Sequence, residues 1–169
     1  MTGTKITQQV VDYLRQHRLY LTTAEAGTAG RIIALLADVA GYGDVVESGS
    51  VIYSPHALHR LLGVSVETLR DFNVTSPEVA REMALGALRD SPANAVIATT
   101  GLCDGDDGTV GFAWGFVSAG GTQIFTRQQR FSGDLHAMQH AAALHALVNL
   151  REFHRYMLAG ATRSDARRP

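Results

Sequence analysis

Four places in the chain hold residue types that could do chemistry. The first is Ala26-Gly27-Thr28-Ala29-Gly30, which follows the β-branched and aromatic run Leu19–Glu25 and precedes a helical apolar pattern. A strand-to-helix turn leaves backbone N–H groups free to meet an anion, although it can equally be a tight connection and nothing more. It is neither GxGxxG nor a P-loop, because Gly27 and Gly30 are its only glycines and no lysine follows. The second is Asp104-Gly105-Asp106-Asp107-Gly108, which has the acid density of a calcium loop. An EF-hand loop begun at Asp104 needs a bidentate glutamate where Gly115 stands, so a solvated turn is the reading. The third is His136 with His140, spaced i, i+4. They lack the glutamate of H-E-x-x-H and a third ligand, and read as surface or packing residues rather than a metal site. The fourth is Cys103, a possible nucleophile if His56 or His59 came within reach as base. Spacing does not bring them together, and a lone cysteine more often packs as a small apolar residue.

The elements that must position these residues follow from periodicity. Ile6, Val10, Val11 and Leu14 predict an amphipathic helix over 4–18. Leu19–Glu25 predicts a strand, and Ile32, Ile33, Leu35, Leu36 and Val39 predict a buried helix stopping near Gly41. Val45–Tyr53 reads as one or two strands broken at Gly49, followed by short helices at 55–62 and 65–72. Thr75-Ser76-Pro77-Glu78 is a helix start, with a hydroxyl cap, an early proline and a glutamate placed to reach back. That helix runs to Arg89 or Asp90. Ala95–Thr100 predicts a strand covered on both faces. Val110–Val117 and Thr122–Arg130 predict an antiparallel pair joined through Ser118-Ala119-Gly120-Gly121. A last helix spans Gly133 to Leu158, and 159–169 reads as a polar, disordered tail. The fold class is therefore α/β, with helices covering a mixed sheet in one domain over 1–158.

Composition narrows the function. The 169 residues are 46% hydrophobic and 18% charged, which excludes a disordered chain. Fifteen basic against sixteen acidic residues give a net charge of −1, which removes the electrostatic case for direct nucleic-acid binding. Fourteen of the fifteen are arginine, so any lysine chemistry must use Lys5. With one cysteine, neither an intrachain disulfide nor a cysteine zinc cluster can form. The first twenty residues lack the apolar run of a signal peptide or membrane span, making a cytoplasmic protein without membrane contact the expectation.

Several stretches together resemble the CinA C-terminal domain family, whose enzymatic members are nicotinamide mononucleotide amidohydrolases. The family's T-A-E-S-C-T-G-G stands here as Thr23-Ala24-Glu25-Ala26-Gly27-Thr28-Ala29-Gly30. Its Y-S-N-E-A-K and following leucine-glycine segment stand as Tyr53-Ser54-Pro55-His56-Ala57-Leu58 and Leu61-Leu62-Gly63-Val64. Its V-S-x-E-V-A stands as Val74-Thr75-Ser76-Pro77-Glu78-Val79-Ala80, and T-G-I-A-G-P as Thr100-Gly101-Leu102-Cys103-Asp104-Gly105. V-G-x-x-W stands as Val110-Gly111-Phe112-Ala113-Trp114, and F-x-G-D as Phe131-Ser132-Gly133-Asp134. The resemblance covers residues 5–155. It implies a three-layer α/β/α domain standing without the larger N-terminal domain of some relatives.

The resemblance also implies a site. In active relatives the serine of A-E-S is the nucleophile and the lysine of Y-S-N-E-A-K its general base. These roles fall on Ala26 and Leu58, and an arginine expected after F-x-G-D falls on Gln139. Glu25, Thr28, Tyr53, Thr100 and Gly101 match positions near the site and are the candidate ligand-binding residues. Alanine has no lone pair and leucine no basic nitrogen, so the expectation is a catalytically degenerate domain that binds a nucleotide or a protein partner. One alternative is altered chemistry on nicotinamide mononucleotide or a related nucleotide, with Glu25 or His56 directing water. Another is an accessory role in competence or DNA damage through protein contacts. No cofactor or metal is expected, and the prevalence of symmetric assemblies makes a homo-oligomer the expectation.

Overall fold

The computed structural model describes residues 3–102 and 107–160. Helix α1 (Gly3–Gln16) leads into strand β1 (Leu21–Glu25) and helix α2 (Arg31–Ala37). A single 3-10 turn (Tyr42–Asp44) precedes β2 (Val46–Val51), α3 (Pro55–Leu62), α4 (Val66–Asp71) and α5 (Pro77–Arg89). Strands β3 (Ala95–Gly101), β4 (Thr109–Ser118) and β5 (Gly121–Arg130) follow, and α6 (Leu135–Leu158) closes the chain. The sheet order is β2-β1-β3-β4-β5. β1 pairs parallel with both β2 and β3, while β3–β4 and β4–β5 are antiparallel, so the sheet is mixed.

Helices cover both faces of the sheet, each over its own apolar cluster. Along β3, Ala95 and Ile97 join the cluster under α1, α2 and α6, whereas Val96 and Ala98 join the one under α3 and α5. This is the period-two alternation of a strand buried on both sides. β4 sorts by size as well. Its Val110, Phe112, Trp114 and Phe116 fill the α6 side, while Gly111, Ala113 and Gly115 face α5. A Cβ on Gly111 would stand 2.6 Å from the Ser76 carbonyl oxygen, so glycine lets the start of α5 seat directly on the sheet.

Several boundaries differ from the sequence reading. β2 runs unbroken through Gly49, which is small because Ile33 of α2 packs where its side chain would be. α2 stops at Ala37, so Val39 packs from the following turn. α6 starts at Leu135, capped by the Asp134 carboxylate, because Gly133 takes φ +121° and lies outside the helix. Ser76 caps α5 by accepting from the Val79 N–H. Glu78 is therefore the second helical residue, one short of the position from which a capping glutamate reaches back. Leu61 is 52% exposed and only Leu62 shares the buried side of Leu58, since i+4 lies closer in rotation than i+3. Residues 103–106, hence Cys103 and most of the acidic turn, and residues 161–169 of the expected tail lie outside the described residues. Among the described residues no helix is long and apolar enough to cross a membrane.

Two histidines of α6 make the fold sensitive to pH. His145 lies against Phe112 and Phe131, and burial, then the Arg127 charge, hold its pKa below the ordinary value near 6.5 despite an opposing pull from Glu152. His154 is buried with its Nδ1 2.9 Å from the Tyr13 hydroxyl, and burial, then His17, lower its pKa too. Below about pH 6.5 the unfolded chain takes up protons that the folded chain refuses. Stability is thus full above that pH and falls as pH drops through the lowered folded values. The urea midpoint is expected to be lower at pH 5.5 than at pH 7.5, with a smaller difference in His145→Leu. An unchanged midpoint in the parent protein would refute the assignment.

Candidate functional site

The C-terminal ends of β1 and β3 lie side by side, and the Ala26 N–H donates to the Thr99 carbonyl at 2.9 Å. Beyond them opens a cavity of about 280 Å³, lined by Ala26, Gly27, Tyr53, Gly101, Leu102, Leu135 and Gln139. Four separate segments of the chain converge here, at the carboxyl ends of parallel strands where open α/β sheets bind ligands. The volume is at the low end for small-molecule sites and suits a ring rather than a large ligand.

The backbone of this site is shaped by unusual conformations. Gly27 passes so close to β3 that a Cβ there would lie 1.8 Å from the Gly101 carbonyl oxygen. Gly101 and Leu102 take φ +110° and +59°, and Ala29 and Gly30 take +56° and +82°. Leu102 and Ala29 pay the left-handed conformation's cost of about 1 kcal/mol or more each, a strain that collects where a chain must turn sharply at a site.

The candidate residues divide into two groups. Tyr53, 65% exposed, and Gly101 line the cavity. Glu25, Thr28 and Thr100 are buried and committed to internal hydrogen bonds. Glu25 is the N-terminal anchor of α2. Its Oε2 accepts from the Thr28 hydroxyl at 2.6 Å and the Ile32 N–H at 3.1 Å, and its Oε1 accepts from the Ile33 N–H at 3.2 Å. The Thr23 hydroxyl lies 3.5 Å from Oε1. Thr28 in turn meets the Thr99 hydroxyl at 2.7 Å, and Thr100 donates to the Val74 carbonyl at 2.5 Å.

Ala26 and Leu58, at the positions of the expected nucleophile and base, belong to one apolar cluster with Ala24, Ile52 and Leu62. Leu58 is 1% exposed on α3, whose start is capped by the Ser54 hydroxyl accepting from Ala57 N–H. Gln139 faces the cavity from the first turns of α6. His56 is exposed on α3, and His59 donates from Nδ1 to the Val64 carbonyl, 2.8 Å away. Neither histidine, nor Glu25, lines the cavity. Lys5 is exposed on α1, which contributes no lining residue.

Among the described residues no group of three metal-ligating side chains exists, and His136 meets Arg31 rather than His140. A larger depression of about 510 Å³ lies between α3, α5 and the β4–β5 pair, away from these positions. Its charged groups are occupied, Glu82 by Ser65 and Thr68 and Arg89 by the Leu62 carbonyl, so the smaller cavity is the candidate site.

Sequence reading missed Leu102 and Leu135 as lining and Gly27 as a forced glycine. The cue for Gly27 was its departure from the family's cysteine. Nothing in spacing signalled the others.

Known proteins share this sequence pattern and fold. The model of the CinA C-terminal domain matches residues 3–154. The nicotinamide-nucleotide amidohydrolase PncC of Enterobacter agglomerans is 39% identical over 140 residues, covering 79% of this chain and 85% of that protein. The protein of the same name from Escherichia coli is 35% identical over 151 residues, covering 86% and 91%. The crystal structure of the competence damage-inducible protein A from Klebsiella pneumoniae superposes with a TM-score of 0.84 at 31% identity, covering 92% of this chain and 99% of that one.

Proposed function

The chain belongs to the CinA C-terminal domain family, and from that membership we propose that it binds a nicotinamide-type nucleotide without hydrolysing it. Its relatedness to nicotinamide-nucleotide amidohydrolases supplies the ligand class. The observation that carries the reading is the burial of Leu58 in one apolar cluster with Ala26, which lines the cavity. Amide hydrolysis through a covalent intermediate needs a nucleophilic oxygen or sulfur and a base within reach. A methyl group and an isobutyl group provide neither. Loss of one member of such a unit removes most of the acceleration, and here both are gone. Glu25 is a poor substitute, because both of its oxygens already accept from the turn and from α2. What remains is a cavity with a phenol, an amide side chain and free space for a ring.

Two measurements on the pure protein test this. Incubation with nicotinamide mononucleotide is expected to release no ammonia above the blank, while calorimetry detects binding of the same compound. Protein-dependent ammonia release at ordinary enzymatic rates would overturn the reading, as would absence of binding. An Ala26→Ser, Leu58→Lys double variant returns both missing groups. Ammonia release from that variant alone would locate the loss of chemistry in those two side chains.

A further inference from the structure

Resting on the cavity reading above, we propose that Arg31 and His136 form a phosphate-monoester site at the cavity's mouth, so that the ligand's ring lies inside and its phosphate outside. Arg31 is the first residue of α2, directly after the turn whose Ala26 and Gly27 line the cavity. His136 is in the first turn of α6, between the lining residues Leu135 and Gln139. The turn that leads into α2 and the start of α6 both line the cavity, and the residues beside them bring a guanidinium and an imidazole together, with Arg31 Nη2 2.8 Å from His136 Nδ1.

That contact defines what the pair can offer. Arginine has only donors, so His136 Nδ1 accepts and its proton must sit on Nε2. The remaining guanidinium N–H groups and the Nε2–H are donors, a combination that suits an oxyanion with several acceptor oxygens. Both side chains reach solvent, His136 being exposed and Arg31 partly so, and an incoming anion meets them without rearranging the core.

The lining itself explains why the charge must sit at the mouth. Six of the seven lining residues are apolar, glycine or phenolic, and the seventh is the neutral Gln139. A dianionic group inside would lose its hydration without a charged partner to replace it. His136 lies three residues before Gln139, on the same side of α6. The resemblance places an arginine at the Gln139 position, and in this chain the donor side chains stand one turn earlier on α6 and across on α2.

Calorimetry with three probes tests the proposal: nicotinamide mononucleotide, nicotinamide riboside, which lacks the phosphate, and inorganic phosphate. Arg31→Gln is expected to weaken mononucleotide binding about ten- to a hundredfold, as expected for a lost charged hydrogen bond. Riboside binding should change less than about twofold, since the ring contacts are untouched. His136→Gln is a second variant on a different element and should weaken the mononucleotide in the same selective way. Equal losses for mononucleotide and riboside, or no loss for either, would overturn the phosphate site while leaving the ring cavity standing. Inorganic phosphate binding as tightly as the mononucleotide would also overturn it, because the ring would then contribute nothing. Failure of the parent protein to bind either the mononucleotide or the riboside would instead remove the cavity reading, and this site with it.

Discussion

Replacing Glu25 with alanine is expected to destabilise the protein by about 3 to 5 kcal/mol, the cost of removing one partner from a buried charged network. The carboxylate accepts from the Thr28 hydroxyl and from the Ile32 and Ile33 N–H groups, and it is wholly shielded from water. Those two N–H groups are among the four that no carbonyl of α2 can reach. Without Glu25 they are left unpaired in the interior, at about 1 to 3 kcal/mol each. The negative charge also faces the positive end of α2, an interaction lost at the same time. Glu25→Gln keeps the shape but turns an NH2 group toward at least one N–H donor, so it should lose about half as much. Urea denaturation of both variants provides the measurement. An alanine variant within about 0.5 kcal/mol of the parent would refute the structural role. So would a stable glutamine variant that had lost ligand binding, since that pattern belongs to a residue contacting ligand.

Substituting Gly27 by cysteine, the residue of the family pattern, is expected to be as damaging. A Cβ at this position would lie 1.8 Å from the Gly101 carbonyl oxygen and 2.7 Å from its carbon. Neither atom is the flexible end of a side chain. Gly101 is held by its pairing with Val110 in β4, and Gly27 by the Ala26 bond to Thr99. One of the two backbones must therefore move by more than an ångström, at a cost of about 3 kcal/mol or more, above the usual range for overpacking. Gly27→Ala isolates the Cβ from the thiol and should cost nearly as much. Because Gly27, Gly101 and Leu102 all line the cavity, the same movement should abolish mononucleotide binding in any fraction that stays folded. Thermal unfolding and calorimetry report the two effects. A Gly27→Ala protein with an unchanged melting temperature would show that the two backbones are not held as described.

Much of the architecture was readable in order along the chain. The apolar run of β3, the helical spacing of α1 and the Ser-Pro start of α5 are local signals, and the structure places elements on all of them. The errors fell where a distant partner decides. Gly49 breaks nothing, because Ile33 fills its place, and α2 stops at Ala37 with Val39 packing from the turn that follows. The candidate site was half legible. Motif resemblance found Tyr53 and Gly101 as lining and identified Ala26, Leu58 and Gln139 as the altered positions. It also marked Glu25, Thr28 and Thr100, whose side chains serve the fold. A buried polar side chain looks the same in sequence whether its partner is a ligand or a backbone N–H.

The sequence by itself determined the family, the mixed α/β class and the absence of a hydroxyl at 26 and an amine at 58. These are matters of composition and local order, written in which atoms each residue carries. Only the tertiary structure decided that Ala26 and Leu58 share one apolar cluster, that Glu25 is spent on α2, and that Arg31 meets His136 across 105 residues. Contacts between remote segments depend on how both faces of the sheet pack at once, and no local pattern encodes that distance.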